Sequence, residues 1–239
     1  MALPRLGVRT RLRSAARSLG DVRHRAGVRR LGRGKPADYR RYLGVQRQRT
    51  LSKRENDPGA GARELVGKVV EYGELSGGSS VLCVGCRNGL ELDLFANAGV
   101  GEIVGIDLIS QRPDIRVMDM HEIAFADGRF DAVYASHSLE HAYDLDTVVS
   151  EIARVARPGA VVGVEVPLDP ASHEADRVEF RSLADLRDAV SPIAGDELWA
   201  DEQPAGSATN SQGTRIARLV LRIAPFALFV VVLLEELLD

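Results

Sequence analysis

The chain has 239 residues, 45% hydrophobic and 27% charged, the composition of a soluble globular protein with one large α/β domain plus tails; this excludes a fibrous or wholly disordered chain. Its two cysteines are compatible with a reducing, cytoplasmic setting. The net charge of −3 conceals an asymmetry: residues 1–54 hold 17 of the 31 Lys+Arg but only two of the 34 acids, so a basic arm leads into an acidic body.

Residues 1–35 are rich in arginine, with Leu12, Ala15, Ala16, Leu19, Val22 and Ala26 at three-to-four-residue spacing. That spacing predicts a basic amphipathic helix weakened by Gly20 and Gly27; the composition equally fits a disordered arm or an organellar transit peptide. The partners such an arm suits are an anionic membrane surface or the acidic body itself, with nucleic acid less favoured. Residues 36–59 read as a helix and linker: Pro36 opens a helix to about Lys53, with Tyr39, Tyr42, Leu43 and Val45 available to pack. Asp57-Pro-Gly-Ala-Gly61 reads as a breaker, and a helix from Ala62 to Tyr72 follows.

From residue 80 the pattern alternates. Apolar strand runs at 80–84, 102–106, 115–118, 131–135 and 161–166 are separated by helical segments at Leu90–Ala98 and Leu145–Ala156, with a turn near Ser110 and a further helix at Ser182–Val190. This order predicts a parallel sheet covered on both faces. Pro158-Gly159 reads as a turn before the fifth strand. Glu197–Ala200 and Arg215–Ile223 are expected to close the sheet as an antiparallel pair around a polar loop, Asp201–Gly213. The domain is drawn at 60–223 and a hydrophobic tail at 224–239. Ile223–Leu234 carries no charge but is shorter than the about 20 apolar residues a span needs. It is expected to pack, to meet a membrane interface or to form a homodimer contact.

The chemistry concentrates in Val81-Leu-Cys-Val-Gly-Cys-Arg-Asn-Gly89 and Gly105-Ile-Asp107: a buried strand, a glycine-containing turn, a helix start, then a second strand ending in an acid. Glycines admit a nucleoside-bearing cofactor close to the backbone, and the acid meets its ribose. Cys83 and Cys86 form a C-x-x-C, but zinc would need two more ligands at suitable spacing, and Cys83 sits inside the apolar strand run as a small filler. A dinucleotide fingerprint would need small residues where Arg87 and Glu91 stand, whereas the 18 residues from Gly89 to Asp107 suit either a dinucleotide or S-adenosylmethionine.

The stretch Asp119-Met-His-Glu-Ile-Ala-Phe-Ala-Asp-Gly-Arg-Phe-Asp-Ala-Val-Tyr-Ala-Ser-His-Ser-Leu-Glu-His141 continues to Glu151-Ile-Ala-Arg-Val-Ala-Arg-Pro-Gly159. It resembles the class I S-adenosylmethionine-dependent methyltransferases of the small-molecule type, over residues 80–166. The resemblance implies a doubly wound, mostly parallel seven-stranded sheet with N-terminal helices, S-adenosylmethionine as cofactor, and a small-molecule or lipid-like acceptor. It implies that Gly85 and Gly89 lie against the methionine and ribose, that Asp107 accepts from both ribose hydroxyls with Leu108 beside it, and that Asp119 and Met120 flank the adenine. Ser136 and His137 would face the methionine end. His137 and His141, with Glu140, are the local candidates for a base if the acceptor is a hydroxyl, and His141 could instead orient its loop. The family usually has an acid where Cys83 stands and a glycine where Arg87 stands; Glu91 is spaced to pair with Arg87 and to replace the missing acid. The loop holding His173, Glu174 and Asp176 is expected to border the acceptor, and no metal role is assigned. Two rivals stay open: a methyltransferase-fold binding module that has lost turnover, and a nicotinamide-dependent oxidoreductase.

Overall fold

Five apolar runs from residue 80 onward fold into parallel strands, because each is flanked by a segment long enough to cross back over the sheet. In the computed structural model, which describes residues 30–52, 59–110, 112–168, 175–207 and 213–225, they are β1 (Ser80–Val84), β2 (Glu102–Asp107), β3 (Ile115–Val117), β4 (Phe130–Ser136) and β5 (Ala156–Pro167). β6 (Ala194–Gln203) and β7 (Ile216–Ile223) complete a seven-stranded sheet in the order β3-β2-β1-β4-β5-β7-β6. All pairs from β3 to β5 are parallel, and β7 runs antiparallel between β5 and β6. The expectations for the arm before residue 30, for the tail beyond residue 225, and for His173 and Glu174 fall outside the described residues.

The sheet buries both faces, as its continuous apolar strands require. Along β1, Leu82 and Val84 join one core while Val81 and Cys83 join the other. The first core is closed by α4 (Leu145–Val155) and α5 (Leu183–Val190), the second by α2 (Gly59–Gly73) and α3 (Leu90–Asn97). Helix α4 forms because Asp144 caps it, accepting from Thr147 N at 3.2 Å, and because Val148, Val149 and Ile152 recur on one buried face. Each such side chain contributes roughly 1.5–3 kcal/mol of burial. Glu151 and Arg154 of the same helix pin the preceding loop: Glu151 accepts from Ile123 N at 2.6 Å, and Arg154 donates to Ile123 O and Phe125 O at 2.6 and 2.8 Å.

Three boundaries depart from the sequence reading. Helix α2 begins at Gly59, inside the expected breaker. Pro158-Gly159 is no turn between helix and strand: α4 passes directly into β5, and residues 157–160 bulge opposite Asp131, since Phe130 pairs with Ala156 while Ala132 pairs with Val161. β6 extends through Gln203, so the loop expected at 201 starts three residues later.

The remaining helix, α1 (Ala37–Ser52), lies across the sheet edge where the parallel strands end. Tyr39, Tyr42 and Leu43 form its buried stripe, packed with Leu31, Leu108 and Tyr143. Among the described residues no helix is long and apolar enough to cross a membrane.

Candidate active site

The two acids that close β2 and follow β3 are both buried and already engaged. Asp107 Oδ2 accepts from Arg87 N at 2.8 Å and Oδ1 from Ile109 N at 3.2 Å. Burial pushes its carboxyl above the ordinary value, and those backbone donors oppose the shift. Asp119 Oδ2 accepts from the Tyr39 hydroxyl at 2.7 Å; Oδ1 accepts from His121 N at 3.0 Å and lies 2.7 Å from His121 Nδ1. Burial raises Asp119, but His121 and Tyr39 outweigh it and leave the carboxyl below its usual range. The His121 ring accepts from Tyr143 N at 3.0 Å through Nε2, so Asp119, His121 and the α1 tyrosines make one connected unit.

The glycine turn is shaped by its own chain. Gly85 and Gly89 have φ of 72° and 74°, left-handed conformations that cost an L side chain. A Cβ at Gly85 would sit 2.6 Å from Ser138 Cβ, and one at Gly89 3.0 Å from Arg112 Cδ. Arg87 occupies the family's glycine position at φ 39° and uses its backbone N–H to hold Asp107. The expected Arg87–Glu91 ion pair does not form: neither side chain makes one among the described residues, and Glu91 Oε2 is buried without a hydrogen-bond partner. Burial raises the Glu91 carboxyl, with Glu165 adding to that push and the Arg87 charge opposing it, and Glu91 in turn adds to the burial that raises the Cys83 thiol. Both cysteines are free and buried, with thiols pushed up by that burial, so the redox and metal readings of C-x-x-C have no reactive thiolate to use.

At the end of β4, Ser136 donates to Glu165 Oε1 at 2.9 Å, and His137 adopts φ 49°. The His137 ring lies between two carboxylates, 3.2 Å from Glu165 Oε1 and 3.6 Å from Glu140 Oε1. Burial works against the charged ring, but Glu140 and Glu165 overcome it and hold the imidazole up to about 10, protonated at neutral pH. Glu140 and Glu165 are correspondingly lowered against the upward push of burial. Each still has one buried oxygen, Oε2, with no partner. His141 follows in the 3-10 turn Leu139–His141, 3.1 Å from Asp176 Oδ1.

Behind Glu165 a row of polar side chains crosses the sheet. Ser136, Glu165, Arg218 and Asp201 are register partners on β4, β5, β7 and β6. Arg218 is fully buried, bonds Asp201 and reaches Glu64 Oε2 at 3.0 Å, with its guanidinium 5.1 Å over the Trp199 ring.

Of the residues expected at the site, the structure brings Gly85, Gly89, Asp107, Asp119, Ser136, His137 and His141 to the same strand-end edge, with Leu108 packed under the α1 tyrosines and Met120 half-buried against the main core. Sequence reasoning missed Tyr39 and Gln46 as site neighbours, and Glu165. The available signal for Glu165 was an acid inside the apolar run Val161–Val166.

The strand order and the acids at the ends of β2 and β3 define the class I methyltransferase fold. Residues 82–164, about a third of the chain, match the family described as "Methyltransferase domain", and the likeness to class I S-adenosylmethionine-dependent methyltransferases rests on that stretch. Among relatives, the 27-O-demethylrifamycin SV methyltransferase of Amycolatopsis mediterranei is 29% identical over 152 residues, 55% of this chain and 55% of that protein. The sterol 24-C-methyltransferase erg6 of Aspergillus fumigatus is 40% identical over 76 residues, 30% of this chain and 20% of that protein. The chain therefore spans about half or less of the length of these relatives. A solved structure with a similar fold is the Burkholderia thailandensis 1,6-didemethyltoxoflavin-N1-methyltransferase with bound 1,6-didemethyltoxoflavin and S-adenosylhomocysteine. Its TM-score is 0.57 at 16% identity, covering 70% of this chain and 79% of that one.

Proposed function

We propose that this chain transfers the methyl group of S-adenosylmethionine to a small-molecule or lipid-like acceptor. The observation that carries this reading is the pair of buried, ionisable acids, Asp107 and Asp119, presented at adjacent strand ends beside a left-handed glycine turn. The cofactor supplies an already activated methyl on a sulfonium. The residues have to bind, orient and exclude water.

The side chains present fit that group. Asp107 retains lone pairs for two ribose hydroxyls, and Asp119 with Met120 stands where adenine would lie. Leu108 and Tyr39 close that end. Gly85 and Gly89 contribute through their backbones, since Ser138 and Arg112 occupy the space a side chain would take. At the methionine end Ser136, His137 and Glu165 meet Glu91, whose unpartnered Oε2 offers the ammonium the carboxylate that position 83 lacks. Arg87 serves through its N–H on Asp107.

The lipid-like alternative draws support from the sterol relative and from α1. Residues 30–52 carry Arg30, Arg33, Lys35, Arg40, Arg41, Arg47 and Arg49 against Asp38 alone, beside the site, a charge that suits an anionic membrane surface. Sedimentation of the full chain with anionic vesicles at low salt tests it, and failure to sediment removes it.

The rival binding module draws on Cys83 and Arg87. Calorimetry with S-adenosylmethionine, S-adenosylhomocysteine and NAD decides between the readings. Binding of the first two supports the proposal, and binding of NAD alone overturns it. Tight cofactor binding with no cofactor turnover across acceptor pools favours the module.

A further inference from the structure

His137 and His141 are four residues apart, yet the structure separates their chemistry. His137 is enclosed by Glu140 and Glu165 and stays an imidazolium, so it has no lone pair to offer. His141 faces a different carboxylate, Asp176, with Nδ1 3.1 Å from Oδ1. Its other nitrogen, Nε2, is 3.8 Å from Glu140 Oε1. Both dyad side chains are largely covered, at 15% and 13% exposure.

The two halves of this pair come from distant segments, and three clamps hold them. Arg177 N and Val178 N donate to Glu140 O at 2.8 and 3.0 Å. The buried Gln46 amide of α1 donates to Ala175 O at 2.6 Å and reaches His141 O at 3.3 Å. The charged groups around the ring are thus Asp176 and Glu140. The Arg177 guanidinium lies beyond them, stacked 4.9 Å from the Tyr143 ring centre and 5.9 Å from that of Tyr42. The ring N–H is not in line with Asp176, so the contact is an ion-pair distance without hydrogen-bond geometry. Such pairs commonly align only when the acceptor is bound. Ser138, which opens the same turn, abuts Gly85, so the dyad stands next to the glycine loop.

We propose that His141 and Asp176 form an imidazole–carboxylate dyad that takes a proton from the acceptor, and hence that the acceptor is methylated on a hydroxyl. The inference rests on the methyltransferase reading above. A neutral amine attacks with a free lone pair and needs no base until afterwards, whereas a hydroxyl must lose its proton as it attacks. In the step, the acceptor oxygen bonds the methyl carbon and the carbon–sulfur bond breaks with its pair going to sulfur. The hydroxyl proton passes to His141 Nε2 and later to water. Asp176 holds the opposite nitrogen and stabilises the imidazolium that forms.

The test uses the full chain with S-adenosylmethionine and two probe nucleophiles, catechol and iodide. Iodide carries no proton, so its methylation bypasses a base. Asp176→Asn is expected to lower the catechol-to-iodide rate ratio by about 100-fold or more, within the range of general-base effects. An unchanged ratio, or equal losses on both probes, overturns the proposal. So does a wild-type chain that methylates iodide but not catechol. A second measurement needs no turnover: with catechol present, imidazole nitrogen NMR should show His141 with its proton on Nδ1 in the wild type and a mixed tautomer in Asp176→Asn. The same tautomer in both removes the dyad. A wild-type chain that fails to bind S-adenosylhomocysteine falsifies the methyltransferase reading instead, and the ring spectra still judge the dyad.

Discussion

The two halves of the site differ in how far their acids are satisfied. On the β2–β3 side, both oxygens of Asp107 and of Asp119 accept hydrogen bonds from the protein. On the β4–β5 side, Glu91, Glu140 and Glu165 each keep a buried oxygen without a partner. A buried carboxylate oxygen left unpaired costs free energy, on the order of 1–3 kcal/mol. The first half is positioned by the protein's own donors, one to each Asp107 oxygen, which leave lone pairs over for a ligand. The second holds unspent acceptor capacity and a concentration of negative charge, which a cationic ligand relieves.

The sharpest way to break this contrast is through Arg218, the buried cation behind the unsatisfied half. Arg218→Met should destabilise the fold by about 3–5 kcal/mol in urea, because it strands Asp201 and Glu64 around a site made for a cation. A loss below about 1 kcal/mol would show that water already screens those acids. Next is Asp107→Ala, expected to weaken S-adenosylhomocysteine binding roughly 100-fold by calorimetry, the equivalent of two charge-assisted hydrogen bonds. Glu91→Gln on the other half should cost about tenfold in the same titration, and adding Cys83→Asp should restore part of it. Equal losses for Asp107 and Glu91 would erase the distinction between the halves.

Tyr39→Phe removes one donor from ionised Asp119 and should cost about 1.5–2 kcal/mol of stability. The contrast also has a pH signature. His137 is raised from 6.5 to about 10 in the fold, so its contribution is fully present below pH 6.5 and is lost as pH rises through about 10. Glu140 and Glu165 are lowered, so theirs is present above their ordinary value of 4.5 and fades as pH falls. Unfolding midpoints measured across pH should decline on the alkaline side, and Glu165→Gln should flatten that decline.

What the sequence disclosed follows the range of the forces involved. β1, β2 and β4 are legible because each is a buried apolar run whose neighbours are local turns. The N-terminal half of β5 is not, because Arg157-Pro-Gly159 reads as a turn until pairing with β4 imposes a bulge. Asp107 and Asp119 are legible as acids at strand ends. Long-range contacts are less so: the Tyr39 donor is 80 residues from Asp119, and the Gln46 amide, which holds the Ala175 carbonyl, is 129 residues from it. The Arg87–Glu91 pair fails for a physical reason that helical spacing cannot convey. Arg87 lies before the helix at positive φ, so the two side chains do not share a helical face.

The antiparallel setting of β7 has a practical consequence. The strand begins beside Pro167, at the edge where the parallel strands finish, and ends at Ile223 on the far edge, where Ala224 N bonds Ile193 O. The chain therefore leaves the sheet a full strand length from Asp107, Asp119 and His141, while the segment entering α1 arrives beside them. A reporter placed directly after residue 225 would start from the far side, whereas one joined just upstream of α1 would crowd the acceptor approach.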